Sequence, residues 1–196
     1  GRTLTLDQPL QFMHYGQSET ISNGLSGAQA QSWQINERAE VALLSRNVEI
    51  SGDADSTQDG FGGHIMVKGG AEMHISGAEF DMMGLSGFLG RYPAHWHMLG
   101  DAGAGQYIED SSFHHSYHKA ITIHGTHDSR VEGNVVFNTQ GYGIFLEDGS
   151  ETGNLIKGNI VFGQKAVASE DAVITSDAEN VSSYWITNPN NDLIDN

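Results

Sequence analysis

The residues of this sequence best suited to chemistry are histidines that alternate with apolar residues. His95 and His97 flank Trp96. On a β-strand, alternate side chains point to one face, which would place the two imidazoles roughly 6.5–7 Å apart. Such a pair can share one ion, because neutral imidazole binds zinc, copper, iron and nickel. His124 lies in a similar alternating segment, and it completes a predicted set of three ligands with an open position.

Nearby carboxylates extend this predicted site. Each can serve as a fourth ligand, as a partner that orients a histidine, or as a general base. A metal-free alternative uses the histidines as acid or base beside a carboxylate that sets their pKa. A structural polar ladder on a solvated face is the other alternative. The predicted catalytic residues are His95, His97, His124, Glu147 and Asp148, and the predicted metal ligands are His95, His97, His124 and Asp101. Zinc or another transition metal suits this set better than calcium.

An internal repeat predicts the elements that position these residues. Residues 108–113 recur as residues 131–136 after 23 positions, and again as residues 156–161 after 25. The first shift also places residues 121–124 on residues 144–147 without a gap. Short alternating strands, glycine-rich turns and a lack of helical periodicity are typical of a parallel β-helix. We therefore predict an all-β, right-handed parallel β-helix with coils of 23–25 residues, and an antiparallel sandwich is the alternative.

The chain is predicted to divide in two. Residues 1–50 are expected to form an irregular β segment that caps or joins the helix, with strands at 4–13 and 41–50 and a loop at 18–34. Residues 51–196 are expected to form the β-helix, which stops within a coil. The expectation is a piece of a longer polypeptide, because solenoids need covered ends.

Stacked coils lie about 4.8 Å apart, so residues at the same register form outward rows. The first row combines His97, His124, Glu147 and Thr187. The neighbouring row contains His95, Thr122, Phe145 and Trp185. Insertions at residues 83–92 and 164–182 interrupt the repeat beside these rows.

Other polar residues are assigned to turns. Asn134 and Asn159 occupy the same turn, where stacked amides bond to one another and to the backbone. His114, His115 and His118 are also expected at a turn, without a chemical role.

Composition restricts the partners. The sequence contains nine Lys and Arg residues and 25 Asp and Glu residues, which gives a formal net charge of −16. Such a charge disfavours nucleic acid as a partner. No apolar run approaches the roughly 20 residues of a membrane span. The absence of cysteine excludes disulfides and thiolate ligands.

The segment from Gly90 to Asp101, GRYPAHWHMLGD, resembles a motif of the G8-domain-associated parallel β-helix proteins. This family includes the cell-migration-inducing hyaluronan-binding protein, transmembrane protein 2, fibrocystin-like proteins and bacterial relatives. Further similar segments are 111–116, 121–127, 145–149 and 185–189. The resemblance implies a right-handed parallel β-helix, an extracellular or cell-surface location, and a link to hyaluronan binding or depolymerisation.

Taken with the histidine face, the resemblance implies an extracellular β-helix that binds, and as one hypothesis depolymerises, hyaluronan or another uronate-containing polysaccharide. The predicted substrate-binding residues are Arg91, Thr122, Phe145 and Trp185. Arg91 would neutralise a uronate, and the two rings would stack on sugars. Hydrolase and lyase chemistry both stay open. A non-catalytic glycan-binding module of a larger surface protein is the alternative, and a purely structural solenoid is a third hypothesis.

Overall fold

A computed structural model describes residues 3–196, which form two compact units, one ending at Val41 and the other running from Ala42 to Asn196. The first unit contains an antiparallel hairpin of β1 (Ser18–Ser22) and β2 (Ser32–Asn36) around a 3₁₀ turn, Gly27–Gln29. The loop predicted at residues 18–34 is therefore wrong. The strand predicted at 4–13 is also wrong, because these residues form no strand. The Asn23 side chain accepts hydrogen bonds from two backbone N–H groups and closes the hairpin, which residue alternation does not reveal.

The second unit is a parallel β-helix, as predicted. Three parallel sheets of five strands each run along it, and every coil contributes at most one strand to each sheet. The first sheet contains β6 (His74–Ser76), β10 (Tyr107–Glu109), β13 (Arg130–Glu132), β16 (Leu155–Lys157) and β19 (Asp192–Ile194). The second contains β3 (Val48–Ser51), β7 (Ala78–Asp81), β11 (Ser112–His114), β14 (Val135–Phe137) and β17 (Ile160–Phe162). The third contains β5 (Ile65–Val67), β9 (Ala94–Gly100), β12 (Ile121–Thr126), β15 (Ile144–Leu146) and β18 (Tyr184–Trp185).

Short elements fill the connections between these sheets. Strand β4 (Phe61–Gly63) pairs antiparallel with β8 (Gly84–Leu85). The helices are α1 (Ser56–Asp59) and α2 (Ser176–Glu179), and a 3₁₀ turn spans Asp101–Gly103. Within residues 3–196, no helix is long and apolar enough to cross a membrane. The predicted boundary between residues 50 and 51 falls inside β3, which pairs in parallel with β7 from Val48 onward.

The strand register agrees with the repeat. Ile121 pairs with Ile144 at the predicted separation of 23, and Val131 pairs with Ile156 at 25. Ala94 pairs with Ile121 at a longer separation of 27. The inward-facing members of these strands are fully buried and form one apolar core, whose burial stabilises the solenoid. The opposite alternation leaves the neighbouring polar side chains outside this core.

Asparagines connect the coils at the turn between the first and second sheets, as predicted. The Asn134 amide nitrogen donates to Asn159 Oδ1 at 3.0 Å and to the Ile108 carbonyl at 2.9 Å. Its Oδ1 accepts the Ser111 N–H at 3.0 Å. Asn159 repeats the pattern with Asn196 one coil further on. We call this column the asparagine ladder.

The corner after each of four successive second-sheet strands has a left-handed backbone. Met82, His115, Asn138 and Gly163 occupy these corners, with φ between 51° and 73°. Only the last of them is glycine, the residue that adopts this conformation most readily. The shared conformation shows that the chain turns in the same way in successive coils, whichever side chain the corner carries.

Candidate functional site

Strands β9, β12 and β15 position the predicted histidine face. His95 pairs with Thr122, and His97 pairs with His124, as the alignment of the alternating strands predicted. Glu147 follows β15, and its N–H donates to the Ile123 carbonyl at 3.1 Å. The third sheet thus brings the three histidines and the carboxylate together.

His95 presents a buried lone pair to this group. Its Nδ1 lies 3.0 Å from the Gly90 carbonyl, which can only accept a hydrogen bond, so Nδ1 carries the proton. Nε2 is buried without a hydrogen-bond partner. Burial lowers the pKa of His95 to about 3, although the Gly90 hydrogen bond opposes the shift. The ring is therefore neutral at physiological pH, with its Nε2 lone pair free.

His124 and His97 face each other across adjacent strands. His124 Nε2 donates to Asp148 Oδ2 at 2.8 Å, so a neutral His124 has its lone pair on Nδ1. That atom lies 3.1 Å from His97 Nδ1. Burial, followed by the charges of His124 and Lys68, lowers the pKa of His97 and favours its neutral form. Asp148 orients His124 in the way that carboxylates orient metal-binding histidines.

Glu147 adds a second unpaired acceptor. Its Oε1 accepts a hydrogen bond from the Tyr92 hydroxyl at 3.2 Å, whereas Oε2 is buried without one. Oε2 lies 3.5 Å from His124 Nδ1 and 4.0 Å from His95 Nε2. Burial raises the pKa of the carboxyl group, which suits a general base or a proton shuttle.

The three histidines can hold a metal ion. One ring nitrogen of each of His95, His97 and His124 lies within 4.8 Å of the others. Buried acceptors without donors are costly, and a cation would satisfy them. The free Nε2 of His95 and the free Oε2 of Glu147 therefore fit a divalent transition metal.

The three histidines line a pocket of about 290 Å³. Its other lining residues are Met66, Lys68, Leu89, Gly90, Arg91 and Glu147. Lys68 and Arg91 are exposed at its rim, and Arg91 Nη1 donates to His64 Nε2 at 2.9 Å. Positive groups therefore border a pocket in a strongly acidic chain.

The structure buries the rest of the outward row. Phe145 is 3% exposed and stacks on Tyr142 with ring centroids 5.3 Å apart, and Thr122 is fully buried. Trp185 is partly buried, with its ring 6.3 Å from that of Phe145. The alternation placed Phe145 outside the core but could not show that other aromatic rings enclose it. Asp101 lies in the 3₁₀ turn after β9 and is not a member of the ligand group.

Sequence reasoning missed a buried column behind the pocket. Tyr92 and Tyr142 lie on either side of Lys119, whose ammonium is 5.7 Å from each ring and 5.0 Å from the ring of Phe145. The ammonium also lies 2.7 and 2.8 Å from the two carboxylate oxygens of Asp177, in α2. The spacings of 27 and 23 residues that align the third sheet also align Tyr92, Lys119 and Tyr142. The register was thus the signal that could have found this column.

His118 and His127, which the sequence did not connect with the pocket, are also bonded or buried. The His118 ring packs edge-on against Tyr92, and burial lowers its pKa to about 3. His127 Nδ1 accepts the Thr152 N–H at 3.2 Å in the adjacent coil.

The fold and this site define a parallel β-helix protein with a histidine pocket on one sheet. The sequence profile described as CEMIP beta-helix matches residues 60–196, and the chain therefore belongs to this family. The predicted resemblance is confirmed.

Curated relatives match nearly the whole chain. Fibrocystin-L of Mus musculus is 33% identical over 98% of the chain, and Cell surface hyaluronidase CEMIP2 of Homo sapiens is 31% identical over 95%. Protein rliB of Dictyostelium discoideum is 32% identical over the full chain. The chain spans 5%, 15% and 17% of the lengths of these three proteins, respectively. No solved structure matches it.

Proposed function

We propose that the chain binds and depolymerises a hyaluronan-like, uronate-containing polysaccharide outside the cell, at a metal ion held by His95, His97 and His124. The observation that carries this proposal is the convergence of buried, unpaired acceptor atoms at the base of an open pocket. A relative that is 31% identical is named a cell surface hyaluronidase, which supports the substrate class.

In this proposal the bound ion, Glu147 and Asp148 each have a separate chemical role. A bound divalent ion would supply Lewis acidity and positive charge to neighbouring glycan oxygens. Glu147 can accept a proton at its free Oε2, either from water in a hydrolase or from the carbon next to the uronate carboxylate in a lyase. Asp148 holds His124 in its ligand tautomer.

The positively charged rim of the pocket would attract the negative charge of a uronate substrate. A net charge of −16 slows the approach of a polyanion at long range. Arg91 and Lys68 would offset this repulsion where the uronate carboxylate binds, and guanidinium binds carboxylate with two parallel hydrogen bonds. Trp185 is the partly buried ring of the predicted pair, so it is the one available for a sugar contact.

A non-catalytic glycan-binding module is the second candidate, and the carboxylates favour it. Ordinary glycoside hydrolysis uses two carboxyl groups on opposite sides of the bond. Here Asp148 is bonded to His124, which leaves Glu147 as the free member of the pair.

The test begins with the chain purified without a histidine tag. Its metal content would be measured after loading with Zn²⁺, and its action on hyaluronan, other uronate glycans and neutral glycans would be followed by fragment size. We expect one equivalent of Zn²⁺ that depends on the pocket histidines, and shortening of a uronate glycan. His97→Ala combined with His124→Ala should remove this one equivalent and abolish the shortening, whereas His74→Ala, at an exposed histidine of the first sheet, should change neither.

The remaining outcomes separate the candidates. Glu147→Gln should keep glycan binding and lose cleavage if the chain is an enzyme. Binding without cleavage by the unaltered chain would favour the module. Unchanged metal binding in the double histidine variant would contradict the proposed site.

A further inference from the structure

A second cluster of potential ligands lies on another sheet. Asp81 ends β7, His114 ends β11, and the two are register partners in the second sheet. His115 follows at the left-handed corner. The sequence prediction assigned both histidines to turn polarity, but the structure places them against a carboxylate.

The three ligand atoms form a nearly equilateral triangle. Asp81 Oδ1 lies 2.9 Å from His114 Nδ1 and 2.9 Å from His115 Nδ1, and the two nitrogens are 3.0 Å apart. For metal–ligand bonds of about 2.0–2.1 Å, adjacent octahedral ligands are separated by roughly 2.9 Å and tetrahedral ligands by roughly 3.3–3.4 Å. The triangle therefore matches one face of an octahedron.

Glu79 fixes the tautomer of His114. Glu79 Oε2 accepts the Arg46 N–H at 2.8 Å, and its Oε1 lies 3.0 Å from His114 Nε2. A carboxylate only accepts, so His114 donates from Nε2. In a neutral His114 the lone pair is then on Nδ1, directed at an oxygen of Asp81 that is also an acceptor.

We propose that Asp81, His114 and His115 form a second metal site, which binds a divalent transition metal in octahedral geometry. Two histidines and one carboxylate on one face of an octahedron are a known arrangement for Fe²⁺ and similar ions. Glu79 is the positioning residue, since carboxylates behind ligating histidines orient the ring and raise its basicity. The His115 side chain is 45% exposed, so the remaining coordination positions face solvent or a ligand from solution.

The competing explanation is an ion-pair network in which His114 carries two protons between Glu79 and Asp81. Such a network is complete without a metal. It predicts no specific binding of metal at the second sheet, so a metal titration separates the two.

Co²⁺ is a suitable probe because its visible spectrum distinguishes octahedral from tetrahedral coordination. The full chain would be stripped with EDTA, dialysed against Co²⁺, and analysed for bound metal. The background for the experiment is His97→Ala with His124→Ala, which isolates the second site from the pocket. We expect this variant to retain one ion with an octahedral spectrum.

Further variants assign that ion. Adding Asp81→Asn and His115→Gln should remove it, and Asp81→Asn alone is the near-isosteric check if the combined variant unfolds. Glu79→Gln should weaken Co²⁺ binding about 10–100-fold. His74→Gln, at an exposed histidine outside both clusters, should leave it unchanged.

Each outcome decides the proposal. No Co²⁺ in the isolating background, or an ion that Asp81→Asn does not affect, would overturn the second site. Loss of the pocket ion alone would count against the proposed function and leave the second site standing.

Discussion

Asn134 in the asparagine ladder and His95 in the pocket are equally buried, each 1% exposed, yet the hydrogen bonding of their side-chain atoms differs. Both side-chain atoms of Asn134 are hydrogen-bonded, to three different partners. His95 Nε2 has no partner and faces Glu147 Oε2, which also has none. Equal burial therefore goes with complete hydrogen bonding in the ladder and with two facing acceptors without donors in the pocket.

The largest effect on stability is expected at Lys119, which lies beside the pocket but forms an ion pair with Asp177. Lys119→Met leaves the buried Asp177 carboxylate without its partner, so we expect the free energy of unfolding to fall by about 3–5 kcal/mol. Denaturant unfolding measures this change. Lys119→Met combined with Asp177→Leu should recover most of the loss, and an equally unstable double variant would contradict the explanation.

The ladder should be the next most sensitive region. Asn134→Ala leaves the Ser111 N–H, the Ile108 carbonyl and one bond of Asn159 unsatisfied, for an expected loss of about 3 kcal/mol. Zn²⁺ affinity at the pocket should stay the same. Asn190→Ala, at an exposed position, is the control and should lie within about 0.5 kcal/mol of the unaltered chain. A ladder variant as stable as this control would contradict a structural role.

Acid should act on two buried histidines, His95 in the pocket and His118 beside Tyr92, because burial lowers the pKa of each to about 3. His95 has a folded pKa of about 3 and an unfolded value near 6.5, so the unfolded chain binds the proton first. The stability of the metal-free chain should therefore decline as pH falls below about 6.5, with a contribution from His95 of about 2 kcal/mol between pH 7 and pH 5. Unfolding in EDTA across this range measures it. His95→Gln should remove about half of this pH dependence, because His118 keeps its own contribution, and an unchanged slope would count against a buried neutral His95.

The smallest effect on stability is expected for the hydrogen bond between Tyr92 and Glu147 in the pocket. Tyr92→Phe removes the donor to Glu147 Oε1, and the unfolding free energy should fall by about 1 kcal/mol. That hydrogen bond lowers the pKa of Glu147, so its removal should raise this pKa further. A carboxyl titration by NMR measures the shift directly, and the glycan cleavage proposed for the pocket should then require a higher pH. An unmoved titration would show that Tyr92 does not tune the carboxylate.

The sequence predicted the solenoid from a repeat of 23–25 residues. It predicted the pairing of His97 with His124 from side-chain alternation, although these two residues lie 27 positions apart. It did not predict the burial of Phe145, which depends on how rings from several coils pack together. The second cluster was also missed. His114 lies 33 residues from Asp81, since residues 83–92 lengthen that coil, and the repeat length cannot predict the effect of an insertion.

The left-handed corners after the second sheet have a consequence for how such a protein can change. The same backbone path carries methionine, histidine, asparagine or glycine at four successive corners. A side chain other than glycine at such a corner costs about 1 kcal/mol, while the strands on either side keep their register. Each corner is therefore an exchangeable position, where one substitution can add or remove a ligand without rerouting the chain.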